Sequence, residues 1–235
     1  MRKFALWGTI ILSVFLMGCK RGELQIGYEF YGDTKMWDHI FKIEEPYQFE
    51  SKPAGVILPH HLVAWDHLAK FYAGLSEVSD PSVIYILGPN HYESGEANIQ
   101  TCETCIFTTT EGSLLMDYQS VDGLVDYDIA EFNDEAFKEE HAIYSHTPFI
   151  KHHFPNAKVV PILIQWEAPI EQVEALSEWL VEEGAADSLL VASVDFSHYQ
   201  PPEVSDFHDE SSFATISNFD FQNIYDLEID SPSSI

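Results

Sequence analysis

The sequence predicts an α/β fold, with a central, largely parallel or mixed sheet flanked by helices. Two observations carry this. Four short apolar runs rich in β-branched residues are spread over residues 54–194, the pattern of strands buried on both faces. Between the first two, and again between the last two, lie stretches with apolar residues at helical spacing, as crossover helices on a parallel sheet require. At 235 residues, 46% hydrophobic and 21% charged, the chain suits one packed domain and excludes wholesale disorder.

Residues 1–18 read as a lipoprotein signal peptide. Arg2 and Lys3 precede an apolar run over 4–17, which is too short for an ordinary transmembrane helix. It ends in Leu16-Met17-Gly18-Cys19, with Leu three before a Cys and a small residue just ahead of it, the form of a bacterial lipobox. Cleavage there makes Cys19 a lipidated N-terminus, with acyl chains such as palmitate in a membrane and an extracytoplasmic body. An uncleaved signal anchor is the alternative. Residues 19–52 carry Gly22, Gly27 and Gly32 among scattered aromatics and read as a tether and entry segment. The α/β domain is then 53–235.

Within it, residues 54–59 (AGVILP) make the first strand. Leu62, Trp65, Leu68, Ala69, Tyr72 and Leu75 trace a helical stripe over 62–76. Residues 82–87 (SVIYIL) make the second strand, running into Gly88-Pro89. The polar, Thr-rich stretch 90–116 reads as a long loop with a hairpin. Residues 158–164 (KVVPILI) make the third strand, and 188–194 (SLLVASV) the fourth. Between them, 170–183 reads as an amphipathic helix with Val173, Leu176, Leu180 and Val181 inward, closed by Gly184. Residues 224–228 read as the end of a helix, and a stop at Ile235 so soon after it reads as a truncated C-terminus.

Eleven Lys and Arg stand against 39 Asp and Glu, a net charge of −28. This field repels a phosphate backbone, which excludes nucleic acid as a partner. The chemistry gathers instead at strand ends, where open α/β sheets bind ligands. The first strand runs into Pro59-His60-His61, the second into Asn90-His91, and the fourth into Asp195-Phe196-Ser197-His198. A single such His is most often a hydrogen-bonded core or loop residue. Three at equivalent positions suit a divalent transition metal, and spacing alone does not choose which.

Pro59-His60, Gly88-Pro89-Asn90-His91, Glu140-His141 and Asp195-Phe196-Ser197-His198-Tyr199 resemble the Memo-like family, which includes the AmmeMemoRadiSam system protein B and is related to class III extradiol dioxygenases. The resemblance runs from about Gly55 to Ile235 and implies an extradiol-dioxygenase-like fold with a metal site. It places the first ligand on His60 and the second on His91. Asp195 and His198 match the family's pocket pair, and His141 matches a His of its Glu-His motif. The third ligand in that family is often a Cys, and Asp230 stands at its place here. The implied set is therefore His60, His91 and Asp230, two His and one carboxylate with open positions for Fe(II). Zn, Mn or Cu are the other candidates. Asp230 reads equally well as a turn residue before Ser231-Pro232.

Cys102 and Cys105 form a lone CxxC, which cannot close a structural zinc site unaided. In an extracytoplasmic chain they read as a local disulfide. His141 and His146 are five apart and do not make an HExxH pair. His152 and His153 read as cationic residues at a solvated helix end. Two functions follow. One is a metal-dependent, oxygenase-like enzyme acting on a small molecule, with His198 or His141 as acid or base and Asp195 beside them. The other is a non-catalytic module that binds metal or a peptide. A degenerate relative that has lost closing structure is a third reading.

Overall fold

The structure is a computed structural model that describes residues 24–27, 34–42, 45–197, 199–221 and 223–235. Cys19, the signal segment and His198 lie outside the described residues. The chain begins with β1 (Leu24–Ile26) and α1 (Thr34–Ile40), then β2 (Gly55–Leu58), α2 (Trp65–Val78) and β3 (Val83–Pro89). Next come β4 (Ile99–Thr101), the hairpin β5 (Cys105–Thr109) and β6 (Gly112–Leu114), α3 (Tyr118–Asp126) and β7 (Glu131–Phe132). The short helices α4 (His141–Tyr144) and α5 (Thr147–His153) lead to β8 (Lys158–Ile164), α6 (Ile170–Glu182), β9 (Ser188–Ser193) and α7 (Pro202–Ser217). Single 3-10 turns at Leu62–Ala64, Asp134–Phe137, Ile224–Asp226 and Pro232–Ser234 join these elements.

The central sheet has the order β2-β9-β3-β8-β4-β7. β2, β9, β3 and β8 are mutually parallel, β4 runs antiparallel to β8, and β7 is parallel to β4. The sheet is therefore mixed, with a parallel heart and helices on its faces. Every residue of β3 is buried, as the continuous apolar run requires of a strand covered on both sides. The strand also runs two residues past the apolar stretch, through Gly88 and Pro89, paired to β8 as far as Ile164.

Several expectations need correction. Residues 19–52 are not simply tether and entry. β1 pairs with β5 in a second small sheet, and α1 buries Trp37 and Ile40 in the main core, with Trp37 against Phe41 and edge-on to Phe149. Elements of three and seven residues are too short to show a periodicity. In α6, Val173, Leu176 and Leu180 pack on the core as expected, but Val181 is 83% exposed and Trp179 is the buried residue in its place. His152 and His153 do close a helix, but in a packed setting. His152 stacks on Phe41 with centroids 3.9 Å apart and bonds Glu111 through Nδ1. Burial, then the charge of His152, holds His153 down to about 4, so it is neutral rather than cationic.

Candidate metal centre

Register brings the site together. Leu58 pairs with Ser193, and β9 also pairs with β3, so β2, β9 and β3 are neighbours that end at one edge. The residues that leave those ends are His60, Asp195 and His91. They are 31 to 135 residues apart in sequence, and parallel strand order alone makes them adjacent.

Asp230 arrives from the other end of the domain. Its N–H donates to the Asp195 carbonyl at 3.1 Å, and the Asp195 N–H donates to Asp230 Oδ1 at 2.9 Å. A small apolar cluster of Ala192, Val194, Ile224, Leu227 and Ile229 seats this segment on β9. The backbone clasp uses only Oδ1. Asp230 Oδ2 lies 3.0 Å from His60 Nε2 and 3.6 Å from His91 Nε2. Asp230 thus ties its segment to Asp195 through one oxygen and faces His60 and His91 with the other.

Asp195 is divided in the same way. Its Oδ1 accepts from the backbone N–H groups of His60 (3.0 Å) and His61 (3.3 Å), leaving Oδ2 3.6 Å from His60 Nε2. His61 turns away and caps the 3-10 turn after β2, its Nδ1 accepting from the Val63 N–H. His141 stands across the site, with ring centroids 4.3 Å from His91 and 5.0 Å from His60. His60 and His91 are 5.0 Å apart by the same measure, close enough for one ion to bridge them. One ligand atom from each of His60, His91 and His141 falls within 4.8 Å of the others, and so do atoms of His60, Asp195 and Asp230.

Sequence reasoning overlooked the second role of Glu140. It is almost fully buried and N-caps α4, its Oε1 accepting from the Ala142 N–H at 3.0 Å. The same oxygen is 2.7 Å from His91 Nδ1, and Oε2 accepts from the His91 N–H at 2.9 Å. A carboxylate only accepts, so the His91 ring carries a proton on Nδ1 and turns Nε2 toward Asp230. This is the carboxylate–histidine arrangement that orients metal ligands. The Glu140-His141 pair stood out as a motif, but a bond spanning 49 residues leaves no local signal. His146, set aside on spacing, is buried and hydrogen-bonded to Ser193.

Charge reflects this crowding. Burial pulls His91 down, yet the nearby carboxylates of Asp230 and Glu140 outweigh it and raise His91 to about 9. Burial would raise Asp230, and the nearby His60 and His91 rings instead hold it below the usual carboxylate value. Burial and the neighbouring His91 and His60 lower His141, which favours its neutral, basic form. The donor set suits a metal ion. His60 Nε2 and Asp230 Oδ2 are both buried without a hydrogen-bond partner, because their 3.0 Å approach is not aligned as a hydrogen bond. Two imidazoles and a carboxylate are ordinary ligands for a divalent transition metal.

The Cys102 and Cys105 pair lies at the turn between β4 and β5. Cys102 and Cys105 are buried and joined as a disulfide, with Cα atoms 5.8 Å apart. Asp134 holds this turn, its carboxylate accepting from the Glu103 N–H at 2.7 Å and from the Thr104 hydroxyl.

The chain is 31% identical over 180 residues to a MEMO1 family protein of Caldivirga maquilingensis, covering 73% of this chain and 62% of that one. It is 28% identical over 181 residues to one of Pyrobaculum aerophilum, covering 74% and 63%. A third, from Methanosarcina mazei, is 30% identical over 182 residues, covering 75% and 66%. In each case the match spans less than two thirds of the relative's own length. The family model described as Memo-like protein matches residues 34–235, nearly all of the described fold and every described residue of the site, and the chain belongs to the Memo-like family.

Proposed function

We propose that this chain binds one divalent transition-metal ion through His60, His91 and Asp230, at an oxygenase-like centre on a membrane-anchored lipoprotein. One observation carries the metal reading. Two buried polar atoms, His60 Nε2 and Asp230 Oδ2, face each other without hydrogen-bond partners, and His91 Nε2 approaches the same oxygen. Buried polar atoms left unpaired are costly, and a cation among them removes that cost. Oxygen and nitrogen donors without a thiolate favour Fe(II) over Cu(I), with Zn(II) and Mn(II) as competitors.

Such an ion supplies an open coordination position for a small bidentate ligand and for dioxygen. The protein supplies the rest. Glu140 fixes the His91 ring. His141, one-third exposed and held in its neutral form, is placed to take a proton from a bound hydroxyl group. Asp195 keeps one oxygen free toward the site, and His198, three residues further on, is the second candidate acid or base.

The anchor rests on Leu16 to Cys19 alone. No described helix is long and apolar enough to cross a membrane, so attachment would run through acyl chains on Cys19. Mass spectrometry of full-length protein extracted from membranes should show an acylated Cys19 terminus. An unmodified Met1 terminus refutes the anchor and leaves the metal reading standing.

For the metal, full-length protein loaded anaerobically with Fe(II) should retain about one equivalent after desalting. It should also give the high-spin iron–nitrosyl EPR signal with nitric oxide, which needs an open position. His60→Ala and His91→Ala should retain none, and Asp230→Ala should bind weakly. Equal retention by all three variants would overturn the site. Tight metal binding without a nitrosyl signal would favour the non-catalytic binding module.

A further inference from the structure

Ser193 closes β9 beneath the site, fully buried. Its Oγ lies 2.6 Å from the carbonyl oxygen of Ala142, 3.1 Å from His60 Nδ1 and 3.1 Å from His146 Nε2. The other nitrogen of that second ring, His146 Nδ1, is 3.0 Å from the Tyr72 hydroxyl on α2. His146 and Tyr72 are as fully buried as Ser193, so bulk solvent does not reach this group.

Counting protons assigns every bond. A hydroxyl has one proton to give and two lone pairs to accept with. The Ala142 carbonyl can only accept, so it takes the Ser193 proton. Both imidazole nitrogens that face Ser193 Oγ must then be N–H donors, because a bare nitrogen there would set lone pair against lone pair. For His146 the proton is on Nε2, and Nδ1 accepts from Tyr72. Burial supports this, since it pushes the Tyr72 hydroxyl far up and holds His146 down at about 3, so Tyr72 stays protonated and His146 neutral. For His60 a proton is on Nδ1, which leaves Nε2, 3.0 Å from Asp230 Oδ2, as the nitrogen that binds metal and that takes up a second proton when no metal is bound.

We propose that Ser193 is a positioning residue which, held in place by His146 and Tyr72, keeps the His60 proton on Nδ1 and its Nε2 free to bind metal. The bonds have one direction. The Tyr72 hydroxyl donates to His146, His146 and His60 both donate to Ser193, and Ser193 donates to Ala142. Loss of the Ser193 oxygen leaves a proton on His60 Nδ1 with no acceptor. A proton on Nε2 would then gain the Asp230 carboxylate, and it would occupy the place of the ion. Ser193 therefore sets the form of a ligand from the side opposite the metal. His91 receives the equivalent service from the charged Glu140, so its two supports differ in kind, a carboxylate for one ring and a neutral hydroxyl for the other.

The inference rests on the metal reading for its consequence, but the proton positions belong to the metal-free protein and are tested there. Long-range proton–nitrogen correlation spectra of full-length protein with labelled imidazole nitrogens, in a detergent micelle and freed of metal, read each tautomer. Wild-type protein should show His60 protonated on Nδ1 and His146 on Nε2. Ser193→Ala should leave His60 protonated on Nε2 alone. It should also weaken Zn(II) binding by about 10- to 100-fold, the usual loss when a partner behind a ligand is removed. His146→Gln, which can still donate to Ser193 and accept from Tyr72, should keep both the wild-type His60 tautomer and the wild-type affinity. A merely structural serine would lower the melting temperature without moving the tautomer. His60 protonated on Nε2 alone in wild-type protein overturns the inference whether or not Ser193→Ala folds, and so does a proton retained on Nδ1 in that variant. Wild-type protein with the assigned tautomers that takes up no metal supports the hydrogen-bond assignment and refutes the metal reading instead.

Discussion

His146 has only its neutral form open to it in the folded protein. Burial, then the charge of His60, holds it at about 3 against an ordinary value of 6.5. The folded value lies below the unfolded one, so protons favour the unfolded chain. The stability His146 contributes is complete above pH 6.5 and drains away as pH falls from 6.5 toward 3. Denaturant melts of metal-free protein should show stability declining between about pH 6.5 and 4.5, above the range where ordinary carboxylates titrate. His146→Gln cannot take up a proton and should decline less steeply. Parallel slopes for the two proteins would show that His146 titrates normally. Residues of this kind also mark the limit of reading a site from sequence. His60, His91 and Asp195 were legible because each follows an apolar strand, and strand ends collect ligands. Glu140 acts on His91 from 49 positions away and Ser193 on His60 from 133, with His146 bonded to Ser193 across 47, through bonds that no local pattern encodes.

At the scale of elements, the site depends on how closely α4 approaches the end of β3. Gly88 makes that approach possible. A Cβ there would lie 2.9 Å from the Ala142 Cβ and 3.5 Å from the Ser193 Cβ. Gly88→Ala should force α4 outward and carry Glu140 and His141 with it, because the contact is with a short, backbone-attached carbon that cannot swing aside. The expected cost is about 1–3 kcal/mol, as for other overpacked cores, with weakened metal binding on top. Calorimetry and metal titration would read the two effects, and a variant that matches wild type in both would show that α4 yields freely. Legibility at this scale followed length and burial. The long apolar strands β3 and β8 were readable, and β8 falls at Lys158–Ile164 as expected. α7 was not, because its apolar residues Val204, Phe207, Phe213 and Ile216 fall on no single stripe and Ser212 is its one buried residue. β1 was missed because three residues carry no period, and its place comes from pairing with a strand about 80 residues away.

Over the whole molecule, charge is the dominant unbalanced term. With 39 acidic against 11 basic side chains, compaction brings like charges together, and few cations are available to offset them. The ion pairs Lys52–Asp187 and Lys138–Glu135 are well exposed, and pairs of that kind contribute little. Salt therefore has more repulsion to screen than attraction. Raising ionic strength from about 0.01 to 0.15 M shortens the screening length from about 30 to 8 Å, less than the width of the domain. The melting temperature should rise across that range. Each 1 kcal/mol of relieved repulsion corresponds to about 2–4 °C for a chain of this size. The experiment belongs below about 0.2 M sodium chloride, where screening dominates over the exclusion effects that strongly hydrated salts add at higher concentration. A melting temperature that is flat or falls with salt would mean that local attractions outweigh the net field. The same field bears on the proposed anchor. A body of this sign is pushed away from an anionic leaflet, so acyl chains on Cys19 would hold the domain near the membrane without laying it flat on the surface.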